Sequence, residues 1–238
     1  MSNVFKLFVG ELKRLVKYKI LIVGLFVSII WALIISSSDG DELMTLLPLL
    51  IGVDSTMMSI ILLAAGYFLE KQEGSVKSLL VAPVNCGEIL MAKVMAAVFS
   101  GLLSGVIVAL TAQIKHGIKI NLLLLIVYLV IIIVAHTAIG YVLSLYAKDF
   151  GTLLAYTLIF AFLSYIPSLL FMTDIIPAYA EKVMLVLPTH AAMMLLNSLT
   201  VKVDTLIVLL SVIYQAVLGL TLYFTVVYKK FKKNVAES

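Results

Sequence analysis

The sequence predicts an all-α polytopic membrane protein with six transmembrane helices. Of its 238 residues, 63% are hydrophobic and only 13% are charged, whereas soluble domains carry about 25% charged residues. The charges lie mainly between long apolar runs. A helix crosses the bilayer core of about 30 Å with roughly 20 apolar residues, and open strands cannot satisfy their backbone groups there. We therefore expect a single transmembrane domain over residues 1–238.

The apolar runs that can cross the bilayer number six. They are approximately Ile20–Ser36, Leu46–Leu69, Ile89–Ile114, Leu122–Tyr146, Thr152–Met172 and Leu206–Tyr228. The apolar stretch before the last run contains Pro188, and counting it as a seventh span would separate the basic tail from the basic N-terminus. With six spans, thirteen of the seventeen lysines and arginines share the side of both termini. The positive-inside rule then predicts cytoplasmic termini.

The N-terminal stretch has the pattern of a basic amphipathic helix. Such a helix lies in the headgroup plane, with its apolar face in the bilayer; an anchor that merely sets the topology is the alternative. The apolar face comprises Phe5, Phe8, Leu12, Leu15 and Val16, and the basic face comprises Lys6, Lys13, Arg14 and Lys17.

A charged loop, EKQEGSVKSLLVAPVNCGEILMAK from Glu70 to Lys93, separates the second and third spans. Val76, Leu79 and Leu80 have the i, i+3, i+4 spacing of one helix face, and Pro83 would end the helix. A helix of two turns is unstable alone and needs a surface to pack on. The pattern predicts either a short amphipathic helix that contacts a partner or a simple turn at the membrane surface.

This loop resembles that of type-two ATP-binding-cassette exporter permeases, and the run DSTMMSII from Asp54 is most similar to the short permeases grouped with drug, notably fluoroquinolone, exporters. In that family the loop after the second span forms a coupling helix that rests on a separate ATPase. The resemblance also implies an interfacial N-terminal helix, six spans and short re-entrant helices on the outer face, where Leu187–Pro188 is a weaker match. It places the chain in the bacterial cytoplasmic membrane.

The resemblance divides the chain into seven segments. They are an interfacial helix (1–19), spans one and two (20–69), a coupling loop (70–88), spans three to five (89–172), an outer re-entrant segment (173–205), span six (206–228) and a cytoplasmic tail (229–238). The ATPase contact would comprise Glu70, Glu73, Gly74, Ser75, Lys77, Leu80 and Pro83.

The chain contains no G-x-x-x-x-G-K-[S/T] phosphate-binding loop. We therefore expect a non-enzymatic translocase subunit with no cofactor of its own, and ATP and Mg²⁺ on the partner. The resemblance implies two ATPase copies and a second permease, identical or paralogous. Drugs, lipids and peptides suit an apolar lining equally well.

Polar residues within the spans are candidates for the substrate path. A carboxylate at mid-membrane is costly and tends to be functional. Asp54 would lie roughly 12 Å below the outer surface if its span starts at Leu46, unless the span begins near Asp54 itself. Met57 and Met58 could line an adaptable apolar path, although ordinary filling of the core is the favoured account of them. His136 could relay protons, although its position favours a neutral histidine that is hydrogen-bonded to a neighbouring helix.

Two other classes of function remain open. An intramembrane enzyme would need paired carboxylates or a histidine cluster, and neither Asp54 nor His136 has a partner at helical spacing. Nothing in the composition excludes a non-transporting scaffold or immunity-type protein. The basic charges flank apolar runs, which argues against nucleic-acid binding and for contact with the lipid bilayer.

Overall fold

The computed structural model describes residues 3–38, 40–73, 84–173 and 175–237, and every regular element in these ranges is helical. The helices are α1 (Asn3–Lys17), α2 (Ile20–Ser37), α3 (Gly40–Gln72), α4 (Cys86–His116), α5 (Leu122–Tyr146), α6 (Phe150–Met172), α7 (Glu181–Met184), α8 (Pro188–Asn197), α9 (Thr205–Leu222) and α10 (Tyr228–Glu237). A 3₁₀ turn, Ala178–Ala180, precedes α7, and a π-helical segment, Tyr223–Val227, joins α9 to α10.

The six predicted spans are confirmed as helices that are long and apolar enough to cross a membrane. The spans are Ile20–Ser37, Leu46–Glu70, Cys86–His116, Leu122–Tyr146, Phe150–Met172 and Thr205–Lys233. Helix α4, which forms the third span, begins at Cys86, before the predicted Ile89, because the backbone N–H of Asn85 donates to the side chain of Glu88 at 2.9 Å. That pairing caps the helix one turn ahead of its apolar run.

The core lies around α3 and α5, which cross at very close range. A Cβ atom added to Gly140 would lie 2.8 Å from the carbonyl oxygen of Ile60, so only glycine permits this approach. In contrast, apolar side chains on α2, α6 and α9 face outward; Phe26, Leu163 and Leu220 are each more than half exposed. Outward-facing apolar side chains are expected of helices in contact with lipid.

Both ends of the described chain lie on the side of the molecule where α3 ends and α4 begins. Leu7 of α1, Tyr67 of α3 and Phe231 of α10 pack in the same apolar cluster. The ammonium group of Lys230 lies 3.6 Å from the centroid of the Tyr146 ring, at the end of α5. The residues predicted as a tail therefore begin as a helix that continues the last span. We call this side of the molecule the loop side.

Helix α8, in the segment between α6 and α9, packs into the bundle. Pro188 occupies the first turn of α8, where its missing N–H removes no helical hydrogen bond. Residues Thr189–Leu196 are all buried. Thr189 donates to the carbonyl of Ser164 in α6 at 2.8 Å, and Gln215 of α9 donates to the carbonyl of Pro188 at 2.5 Å. Re-entry of this segment into a bilayer stays a prediction.

Candidate functional site

A buried ion pair joins the two helices that flank the charged loop. The ammonium nitrogen of Lys93, in α4, lies 2.5 and 2.7 Å from the two carboxylate oxygens of Glu70, near the end of α3. Glu70 is 1% exposed and Lys93 is 6% exposed. The pair therefore holds the two stems of the loop together inside the protein.

Helix α1 completes this group with one acid and one base. Lys93 also donates to the carboxylate of Glu11 at 3.0 Å. The Arg14 guanidinium donates to Glu70 and lies 3.5 Å from Glu11. Burial raises the pKa of Glu11, and the positive charge of Lys93 partly offsets this rise. We call these four residues, Glu11, Arg14, Glu70 and Lys93, the ionic cluster; their formal charges sum to zero.

The position of α1 follows from this cluster and from apolar packing beside it. Leu15, Leu12 and Phe8 pack with Leu62 and Ala96 of the span helices. Arg14, which the sequence places on the basic face of α1, directs its guanidinium to the buried carboxylate of Glu70. Whether the outer surface of α1 also touches a bilayer stays a prediction.

One turn after Glu70, Glu73 is placed very differently. Its carboxylate is exposed, accepts a 2.5 Å hydrogen bond from the Tyr18 hydroxyl and lies 4.0 Å from the Lys17 ammonium. Burial and the hydrogen bond to Glu73 raise the pKa of Tyr18 to about 12. Of the predicted ATPase contacts, Glu73 is thus open to a partner, whereas Glu70 is enclosed. Gly74, Ser75, Lys77, Leu80 and Pro83 lie outside the described residues.

A second buried carboxylate, Asp54, lies in the middle of α3. The Ser28 hydroxyl of α2 donates to Asp54 Oδ2 at 3.1 Å, and the Ser104 hydroxyl of α4 donates to the same oxygen. The two hydroxyls are 2.7 Å apart. Asp54 is 2% exposed, and its other oxygen, Oδ1, has no hydrogen-bond partner in the described part of the chain. The apolar span begins at Leu46, so Asp54 lies within it and not at its start.

A cavity of about 340 Å³ lies beside Asp54, between α2 and α3. Met57 and Met58 line it, as does the chain's single tryptophan, Trp31. Lys19 lies at its loop-side end and is exposed. The cavity is otherwise lined almost entirely by apolar side chains, which suits an apolar ligand body.

The structure brings Asp54, Met57 and Met58 together and leaves His136 elsewhere. His136 is fully buried in α5; its Nδ1 pairs with the carbonyl oxygen of Ile132 at 2.8 Å, and its ring meets Phe160 edge-on. It does not line the cavity. Within the described residues no three His, Cys, Asp or Glu side chains gather at metal-binding distances.

Sequence reasoning missed Glu11, Ser28 and Ser104. The sequence could have identified Glu11, since it is the one acidic residue among five basic residues before the first span. A carboxylate in such a helix would be expected to meet a basic residue at the start of a span. The sequence does not distinguish Ser28 and Ser104 from other serines, because small polar residues are common where helices pack.

These observations define a multi-pass helical membrane protein with a charged loop whose stems are joined by buried ion pairs. A protein-family comparison identifies the ABC-2 type transporter family, whose model matches residues 3–201. The chain therefore belongs to the ABC-2 type transporter family. It is a permease component of an ABC transporter, a class of membrane subunit that normally works with an ABC ATPase and is not itself catalytic. A comparison with curated proteins finds no significant match.

Proposed function

We propose that this chain is the membrane subunit of an ATP-driven exporter. It moves a hydrophobic or amphipathic substrate, such as a drug, lipid or peptide, outward across the bacterial cytoplasmic membrane. A separate ATPase binds ATP and Mg²⁺ and drives the chain through the loop between α3 and α4. The transporter contains two ATPase copies and a second permease, identical or paralogous, with the loop side in the cytoplasm. A place in the drug-exporter subfamily is part of the same proposal.

The single observation that carries the coupling role is the ionic cluster beneath the loop. Lys93 and Glu70 stand on opposite stems, 2.5 Å apart, and α1 contacts both through Glu11 and Arg14. Because buried charges are costly to separate, a force on the loop moves α1, α3 and α4 together. The cluster thus provides a rigid base through which work done on the loop can reach the spans.

The exposed residues beside this base provide the surface for the ATPase. Glu73 lies at the start of the loop with its carboxylate exposed. Lys77 follows it by one helical turn in the sequence, so a coupling helix would present both charges on one face. In this arrangement Glu70 holds α3 and α4 together through Lys93 and does not itself contact the ATPase.

The test is transport by the chain reconstituted with its ATPase, using the double variant Glu73→Ala/Lys77→Ala. Transport should fall at least about tenfold, equivalent to ~1.4 kcal/mol of lost coupling, while membrane insertion stays normal. Lys148→Ala is the matched control, because Lys148 is an exposed basic residue between α5 and α6. Normal ATP-driven transport by the double variant would refute the assignment of the loop.

A further inference from the structure

We infer that the cavity beside Asp54 binds an amphipathic ligand whose protonated amine donates a hydrogen bond to Asp54 Oδ1. The apolar body of the ligand would lie along Val27, Met57 and Ile61, which line the cavity. As a statement about the exported substrate, this inference rests on the proposed function. As a statement about binding, it can be tested without an ATPase.

The hydrogen bonding of Asp54 is incomplete. Both donors, Ser28 and Ser104, are neutral hydroxyls and both reach Oδ2. Oδ1 is buried without a partner, and no lysine or arginine in the described residues forms an ion pair with Asp54. A buried carboxylate oxygen without a donor is costly. A ligand ammonium group supplies both the missing donor and the missing positive charge.

The cavity beside Asp54 has the volume and the charge distribution that such a ligand requires. Its volume of about 340 Å³ falls within the range typical of ligand pockets, about 300–1,000 Å³. Asp54 is the one acidic residue among the described side chains that line it. Lys19 immediately precedes α2 and lies nine residues before Ser28, which corresponds to about 13 Å along the helix axis. The positive charge at the loop-side end is therefore far from the carboxylate, and an ammonium group is favoured only near Asp54.

A flexible side chain, that of Met58, lines the cavity together with Asp54. The end of Met58 occupies the space that a side chain at Gly24 would fill; a Cβ atom there would overlap the Met58 methyl group at 1.6 Å. Gly24 is one turn from Ser28, and Met58 is one turn from Asp54. A methionine side chain adjusts to varied shapes, so Met58 can adapt to a ligand beside Asp54 at little cost. A lipid acyl chain could occupy the apolar part but would gain nothing from Asp54.

Trp31 provides a direct readout, because it lines the cavity and the chain has no other tryptophan. The full chain is placed in phosphatidylcholine nanodiscs without an ATPase. The probe is decylamine with a terminal bromine, which quenches tryptophan fluorescence, and the matched neutral probe is decanol with the same bromine. The amine should quench Trp31 at a concentration at least about tenfold lower than the alcohol, as expected for a hydrogen bond between charged groups.

Two variants locate the interaction. Asp54→Asn keeps the shape of the side chain and should reduce quenching by the amine to the level of the alcohol, with alcohol quenching retained as proof of an intact cavity. Val27→Phe fills the cavity and should weaken both probes. Ile213→Phe is the control for a larger apolar residue, because Ile213 is half exposed on α9, away from the cavity.

Equal quenching by amine and alcohol in the unmodified chain would overturn the inference, and this comparison requires no variant to fold. Undiminished amine quenching in Asp54→Asn would overturn it as well, leaving an apolar groove that takes lipid. Either result leaves the proposed ATPase coupling standing. Conversely, if the transport test refutes the coupling proposal, the quenching experiment still decides whether the cavity binds the amine.

Discussion

Glu70 and Asp54 are both buried carboxylates of the same helix, yet their surroundings are opposite. Glu70 accepts from Lys93 with both oxygens and from Arg14 as well, and its negative charge is fully neutralised. Asp54 accepts from two hydroxyls at one oxygen and forms no ion pair with any residue that the structure describes. Removing one partner of a buried ion pair is strongly destabilising, whereas a buried charge without a partner is costly and tends to be functional. This difference supports the proposed roles of Glu70 in holding the stems of the loop and of Asp54 in binding a ligand.

The largest expected effect comes from neutralising Glu70. Glu70→Gln leaves Lys93 and Arg14 with only Glu11 as an acidic partner. Removing one member of a buried ion pair costs about 3–5 kcal/mol, so the midpoint of thermal unfolding should fall by on the order of 10 °C. The measurement is circular dichroism at 222 nm during heating in detergent.

A second substitution sharpens this result. Glu70→Gln/Lys93→Met removes one charge of each sign and leaves the pair of Glu11 and Arg14 in contact, so most of the lost stability should return. If the double variant is as unstable as the sum of Glu70→Gln and Lys93→Met, the two side chains do not act as a pair. That additivity would contradict the ionic cluster as a single unit.

The smallest expected effect lies at the exposed edge of the same region. In the unfolded chain Tyr18 loses its proton near its ordinary pKa of about 10, whereas in the folded chain its pKa is about 12. Between these values the folded state holds a proton that the unfolded state has released, so the contribution of Tyr18 to stability decreases as pH rises. Tyr18→Phe should lose less stability than the unmodified chain between pH 9 and pH 11, as measured by unfolding midpoints. Equal losses would show that the Tyr18–Glu73 contact does not exist in solution.

Most of the fold could be predicted from the sequence because the bilayer imposes simple rules of length and polarity. The runs from Ile20 and Leu122 become helices with nearly the predicted bounds, and the run from Leu46 is the apolar part of the longer helix α3. The start of α4 was missed because a cap, and not hydropathy, sets it. The end of the last span was missed for a related reason: the helix continues past Tyr228, where Phe231 finds an apolar partner in Tyr67.

The site was harder to predict, because its key contacts join residues far apart in the chain. Glu11 and Lys93 are 82 residues apart, and Ser28 and Ser104 are 76 apart. Amphipathic spacing placed Arg14 correctly on the polar side of α1 but could not show that a buried acid lies opposite it. Asp54 could be predicted as a candidate site residue from the sequence alone, because placing a carboxylate within the bilayer costs free energy. Its unpartnered oxygen and the cavity beside it are visible only in the three-dimensional structure, because both depend on contacts between different helices.

The most direct test of the contrast is the unfolding midpoint of Asp54→Asn measured beside that of Glu70→Gln. Asparagine keeps an oxygen for the two serine hydroxyls and removes a buried charge that has no positive partner. We expect Asp54→Asn to be as stable as the unmodified chain or more stable, by up to about 2 kcal/mol, while Glu70→Gln unfolds at a clearly lower temperature. A loss of stability in Asp54→Asn as large as that in Glu70→Gln would show that Asp54 is a structural residue and would contradict the account.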